Sequence, residues 1–206
     1  MESKSARGNP LAILPRSKKQ RLYTLEEYLR KEAQSTEKHE YFNGKITKMP
    51  YARGPHNEIA ANVIAAFKTA FKPLKKTYRI FSSDQKIYFP ELNYGAYADT
   101  LVVSESPQYF DDQELLLINP LIVVEILSKS TQAYDRVGKF DAYKTLPSFQ
   151  EYVLIRQDRY EVETRFREEP NLWRETLVRD AYASITLQSV DISLSLADIY
   201  EHIRLD

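Results

Sequence analysis

The chain contains no cysteine. That absence excludes disulfides, thiolate zinc sites and cysteine nucleophiles together. Glycine is scarce, with five in all, and none builds a Gly-rich phosphate loop. No serine sits on a nucleophile elbow. The three histidines, His39, His56 and His202, show no metal-ligand spacing. No run of eighteen apolar residues exists, so no segment reads as a membrane span. Residues 1–21 lack the apolar stretch of a secretory signal. A location in the cytoplasm, away from any membrane, is the expectation.

An excess of charge of either sign is also missing: 29 basic residues face 29 acidic ones. The balance is unevenly spread. Lys4, Arg7, Arg16, Lys18, Lys19 and Arg21 stand against Glu2 alone in the first 21 residues, leaving 23 positive and 28 negative charges in the rest. A strong non-specific nucleic-acid binder would carry a basic excess. A local patch remains open, because Lys68, Lys72, Lys75, Lys76 and Arg79 fall close together.

Apolar residues make up 43% of the 206, with 15 Tyr and 9 Phe, enough for a real core. Residues 1–20 have no periodicity and read as a flexible basic arm, with one domain over 21–206. Thr24 and Glu27 form the capping-box pattern of a helix that runs to about Ala33. Asn43-Gly44 between two β-prone runs predicts a two-residue hairpin. Ile59, Val63, Ile64, Phe67 and Phe71 give one face of a helix that Pro73 closes. Strands are expected at 78–81, 85–89, 98–103, 121–127, 151–156, 160–167 and 172–178. A helix is expected from about Ala133 to Leu146, and a last one over 196–203, capped by Ser195. The order gives a mixed α/β fold, a central mixed sheet flanked by helices.

Two acids break the apolar pattern. Glu125 falls inside 121–127, a run apolar enough for a central strand buried on both faces. An unpaired buried carboxylate costs several kcal/mol or is neutralised, so a cation, a metal or an open cleft must compensate. Asp99 directly precedes a second apolar run. If the two strands are neighbours, their acids meet at one edge of the sheet, where a divalent cation would relieve their repulsion. Oxygen ligands favour Mg²⁺ or Mn²⁺ over zinc. The plainer reading keeps each acid as a turn residue or a surface partner for lysine.

The flanks of these acids add a pattern. Asn119 to Thr131 around Glu125, then Asp135, Lys139 and Tyr143, together with Ala98-Asp99, the Glu40–Ile46 hairpin and His56, resemble the Uma-two family. That bacterial family of restriction-endonuclease-like domains lies within the PD-(D/E)XK nuclease superfamily, and the likeness spans about residues 22–157. The resemblance implies that Asp99, Glu125 and the Ile126 carbonyl hold Mg²⁺ (or Mn²⁺). Two departures stand out. Ala98 replaces the proline of the Pro-Asp pair, and Leu127 occupies the lysine slot of the E-x-K motif. The resemblance implies that Lys139, on the following helix, takes over from that missing lysine. Asp135, Lys139 and Tyr143 recur every four residues and share one helical face. A surface Asp–Lys pair with Tyr143 in the core is the other reading, and Asp135 is either a helix-start residue or a partner that orients Lys139. Glu40 is either a distant, water-mediated metal contact or a hairpin surface carboxylate. His56 is expected to cap its helix, and Asp84 to be structural.

The implied activity is metal-dependent endonuclease cleavage, with Asp99, Glu125, Lys139 and Glu40 as catalytic candidates and DNA as the substrate. The basic arm and the Lys68–Arg79 cluster are the candidate phosphate contacts. A homodimer is expected if both strands are cut. The alternatives are a catalytically inactive binding module on the same fold and an acid/base enzyme for a small molecule.

Overall fold

The computed structural model describes residues 21–129 and 131–205; the expected basic arm lies outside the described residues. The chain opens with α1 (Leu25–Glu32), held by the reciprocal Thr24–Glu27 capping box. Strands β1 (His39–Phe42) and β2 (Lys45–Lys48) then pair through Asn43 and Gly44, both at positive φ, which suits a turn that continues the strand twist. Helix α2 (Gly54–Phe71) buries Ile59, Val63, Phe67 and Phe71 and ends before Pro73.

Next come β3 (Tyr78–Ser82), β4 (Lys86–Phe89), β5 (Tyr94–Tyr97), β6 (Thr100–Ser104), the short β7 (Leu116–Leu117) and β8 (Ile122–Leu127). A π-helical segment, Tyr134–Lys139, runs directly into α3 (Phe140–Lys144). Strands β9 (Glu151–Arg156), β10 (Val162–Glu169), β11 (Leu172–Val178), β12 (Ser184–Leu187) and β13 (Ile192–Ser195) precede α4 (Leu196–Ile199).

The central sheet has the order β11-β10-β9-β8-β6-β3. It is mixed: β8 and β9 run parallel, joined by the crossover through the π-helical segment and α3, and the other pairs are antiparallel. A second sheet, β2-β1-β5-β4-β7, was not expected. The expected strand at 98–103 is β6, which starts at Thr100; β5, just before it, was not expected. β5 belongs to the second sheet and β6 to the central one, so the chain changes sheets at Ala98-Asp99. The β12–β13 hairpin was also missed; its turn is tied down by Glu151, which accepts from the Gln188 and Ser189 amides and the Ser189 hydroxyl. The expected last helix is a single turn rather than eight residues.

Strand alternation sorts the core into two layers. Ile122, Val124 and Ile126 of β8 face α2, the β12–β13 hairpin and α4. Val123 and Leu127 face α3 and the second sheet, among Phe89, Tyr94, Phe140 and Tyr143. Glu125 shares their parity. A carboxylate is thereby sent into the aromatic layer, and each fully buried apolar neighbour contributes about 1.5–3 kcal/mol to holding that layer shut.

Candidate active site

β6 pairs with β8 in the register Thr100↔Val124. One step further places Asp99 across from Glu125. Asp99 has just left β5, and its Oδ2 accepts the backbone N–H of Ile126 at 2.7 Å. A side-chain oxygen thus continues the ladder where strand pairing stops. Asp99, in the bend just before β6, and Glu125, on the neighbouring β8, open on the same groove.

Glu125 is 3% exposed and Lys139 5%. Lys139 Nζ lies 3.1 Å from Glu125 Oε1, 2.9 Å from the Tyr97 carbonyl, 3.5 Å from Asp135 Oδ1 and 4.0 Å from Glu40 Oε1. Tyr143 donates to the same Glu125 oxygen at 2.9 Å. The shared face expected of Asp135, Lys139 and Tyr143 exists, on a wider turn than an α-helix. Such π-helical turns recur where inward-facing groups must be fitted around a site. Gly138 makes this one possible, because a Cβ there would stand 2.8 Å from the Tyr134 ring. The Cδ2–Cε2 edge of the ring abuts the glycine, and its hydroxyl reaches Glu40 Oε2 at 2.9 Å and also meets the Tyr94 hydroxyl.

The charges are lopsided. Four carboxylates, Glu40, Asp99, Glu125 and Asp135, surround one lysine and one histidine. Burial pushes Glu125 well above the usual carboxylate range; Asp135 and Asp99 add to this and Lys139 opposes it. Asp135 and Glu40 are raised by the same burial, again against the pull of Lys139. Burial works against the Lys139 ammonium, but the acids around it, Glu125 first, outweigh that and raise its pKa. The site therefore holds a fixed ammonium among carboxylates whose burial works against their charge.

His56 does not cap α2. The N-cap is Arg53, without a side-chain bond, and His56 turns inward to place Nε2 3.3 Å from Asp99 Oδ2. Burial lowers the imidazole pKa, and the Asp99 carboxylate more than reverses this. Glu40 is no surface acid, since its side chain is 14% exposed. Asp135 proves to be a partner of Lys139. Leu127 fills its slot as a core residue. Asp84 is exposed and pairs with Lys38 at 2.6 Å. Sequence reasoning missed Tyr94, Tyr134 and the Tyr97 carbonyl, which no local pattern marks.

The groove has a volume of about 930 Å³. It lies past the carboxyl ends of the parallel strands β8 and β9, where open α/β sheets receive ligands. Arg53 and Lys129 line it, both exposed and free of ion pairs among the described residues. The Lys68–Lys76 cluster does not. It surrounds a separate hollow of about 370 Å³ at the far end of α2. Arg79 is not part of that hollow, because alternation along β3 sends it to the opposite face from Tyr78 and Ile80.

Residues 25–197 match the model of the Uma2 family, described as "Putative restriction endonuclease". The chain belongs to the Uma2 family. It is 35% identical over 146 residues to "Uncharacterized protein sll1609" of Synechocystis sp. (strain ATCC 27184 / PCC 6803 / Kazusa), covering 69% of this chain and 80% of that protein. It is 32% identical over 172 residues to "Uncharacterized protein slr1290" of the same organism, covering 84% and 87%. The crystal structure of "a putative nuclease belonging to DUF820" from Anabaena variabilis ATCC 29413 superposes with a TM-score of 0.68. That match has 21% identity and covers 88% of this chain and 99% of the other. It establishes the restriction-endonuclease-like fold.

The donor set of this Uma2 member suits a hard cation. Oxygen dominates it. Among the described residues no three His, Asp or Glu side chains cluster tightly enough to hold an ion alone. Mg²⁺ does not require three, since it is commonly held by one or two carboxylates and keeps several waters. Asp99 and Glu125 meet that requirement.

Proposed function

We propose that this Uma2 protein is an endonuclease that hydrolyses phosphodiester bonds in DNA, with Mg²⁺ (or Mn²⁺) held by Asp99, Glu125 and the Ile126 carbonyl. The observation that carries this reading is that Asp99, just before β6, is bonded to the β8 residue that follows Glu125, with a buried ammonium 3.1 Å from Glu125. When bound, the cation would supply Lewis-acid charge to the phosphate and a lower pKa to attacking water.

The chain's own groups have distinct tasks. The Ile126 N–H and the His56 imidazole orient Asp99. Tyr143 and Lys139 fix one oxygen of Glu125, leaving Oε2 as the second acceptor. The Lys139 ammonium is preorganised, so it can offset charge that develops on the phosphate without reorganising at that moment. Asp135 and Glu40 keep the lysine charged and aimed. Arg53 and Lys129 at the rim offer charge to the flanking phosphates.

The test is purified full chain with plasmid DNA and Mg²⁺, beside Asp99→Ala and Glu125→Ala. Each substitution should lower the cleavage rate by about 100-fold or more. Unchanged cleavage in either variant would sink the reading. Mn²⁺ binding no tighter than in the double alanine variant would leave a nucleic-acid-binding module in its place.

A further inference from the structure

The segment from Ile59 to Ser83 contains no acidic residue, yet it carries Lys68, Lys72, Lys75, Lys76 and Arg79. In a chain of zero net charge such a stretch concentrates positive charge, although Arg79 faces away from the hollow. Four of these lysines, Lys68, Lys72, Lys75 and Lys76, border the hollow at the end of α2, and none forms an ion pair among the described residues. The floor of the hollow is firm. Phe71 and Tyr78 stack there with centroids 4.5 Å apart, both rooted in the core beneath. Lys76 leans over the Tyr78 ring at 5.9 Å.

Its position decides what the hollow can do. α2 begins in the catalytic groove, where His56 meets Asp99, and ends at the hollow with Phe71. At 1.5 Å per residue these two points are about 22 Å apart. Asn57, Ala61, Ala65, Lys68 and Lys72 lie along the exposed side of the helix. Between Asn57 and Lys68 that side carries only Ala61 and Ala65, with Glu58 the one acid on the helix beside it, so a rod-like polyanion that keeps to the side away from Glu58 could lie along it. Duplex DNA advances 3.4 Å per step along a strand, so about 22 Å corresponds to six or seven base pairs.

We infer that the Lys68–Lys76 hollow is a second phosphate-binding surface, which grips the backbone of duplex DNA six or seven base pairs from the strand held in the groove. The inference rests on the nuclease reading for the groove, but its test separates the two. Phosphate contacts of this kind position the duplex and carry no sequence information.

The experiment compares wild type with Lys68→Glu/Lys72→Glu/Lys75→Glu. All three side chains are exposed, so the fold should be retained, which far-UV circular dichroism and a thermal melt would verify. Binding is followed by anisotropy in Ca²⁺ with two labelled probes: a five-pair stem-loop, about 17 Å long, and a 20-pair duplex. Wild type should bind the duplex roughly tenfold or more tightly than the stem-loop, whereas the triple variant should bind both alike. The slope of log affinity against log salt for the duplex should fall by about 2.7, three contacts' worth. Equal length dependence in the two proteins overturns the inference, as does an unchanged salt slope or no duplex binding by wild type. A length step without cleavage in Mg²⁺ would defeat the hydrolytic reading and leave the second surface standing. Cleavage without a length step would do the reverse.

Discussion

Asp99 Oδ2 accepts the Ile126 backbone N–H at 2.7 Å, one residue beyond Glu125. The position of one acid is therefore set by the backbone that carries the other, and their separation does not wait for a cation. The bond also separates two roles of Asp99 that alanine would abolish together. Asp99→Asn keeps an oxygen for the Ile126 N–H and loses the charge. Asp99→Ala leaves that part-buried donor without its partner, a cost of about 1–3 kcal/mol. In urea denaturation the asparagine variant should lie near wild type and the alanine variant clearly below it, while both lose Mn²⁺ binding. Equal stability losses would show that the hydrogen bond does not matter.

Lys139 is the one ammonium among three buried or nearly buried acids. Replacing it with methionine leaves Glu125, Asp135 and Glu40 facing one another, and breaking a buried pair in this way costs about 3–5 kcal/mol. Glu125→Gln in the same chain removes one of the stranded charges. The double variant Lys139→Met/Glu125→Gln should therefore be more stable than Lys139→Met alone, a coupling that a double-mutant cycle reads directly. Additive losses would mean that the two side chains do not share a field.

The parts of this molecule governed by short-range rules could be read from the sequence. The Thr24–Glu27 box, the Asn43-Gly44 turn, the α2 stripe and the β8 run each declare themselves within a few residues. The acid pair could also be read, because a charge inside 121–127 conflicts with its surroundings. What escaped was non-local. Ala98-Asp99 looks like the start of a strand, and only the pairing of β5 and β6 with different partners shows it as a corner between sheets. Over six residues a π-helical turn and an α-helical one carry nearly the same apolar pattern. His56 sits at the start of its helix, as a cap would; its turn toward Asp99 depends on how α2 packs against β6 and β8. The β12–β13 hairpin did leave a signal in the alternation of Ile185 and Leu187 with Ile192 and Leu194, but two apolar residues per strand are few.

Gly138 offers a test of the π-helical segment. An alanine Cβ would stand 2.8 Å from Cδ2 of Tyr134, and an aromatic ring flanked by the Glu40 and Tyr94 contacts has little room to yield. Gly138→Ala should cost about 1–3 kcal/mol, the usual range for overpacking. If the ring is the cause, the same substitution in a Tyr134→Ala background should cost much less. Thermal unfolding of the four proteins decides this, and an equal penalty in both backgrounds would place the strain in the helix itself.

Lys86 sets a pH dependence away from the groove. Its ammonium sits 4.5 Å from the centre of the Tyr28 ring and 5.2 Å from that of Tyr97. Burial holds its pKa down to about 8 from an ordinary 10.5, with Glu32 and Asp111 pulling weakly the other way. Between those two values the unfolded chain keeps a proton that the folded chain has released. Stability from this residue therefore rises with pH across the window and is flat below about 8. Lys86→Met removes the titration and keeps the bulk. The stability of wild type relative to Lys86→Met, from urea midpoints at pH 7.5, 8.5 and 9.5, should climb with pH, the tyrosines common to both proteins cancelling in the difference. A difference that stays level or falls would mean that Lys86 keeps its proton in the fold, held by the two rings and by Glu32 more firmly than burial expels it.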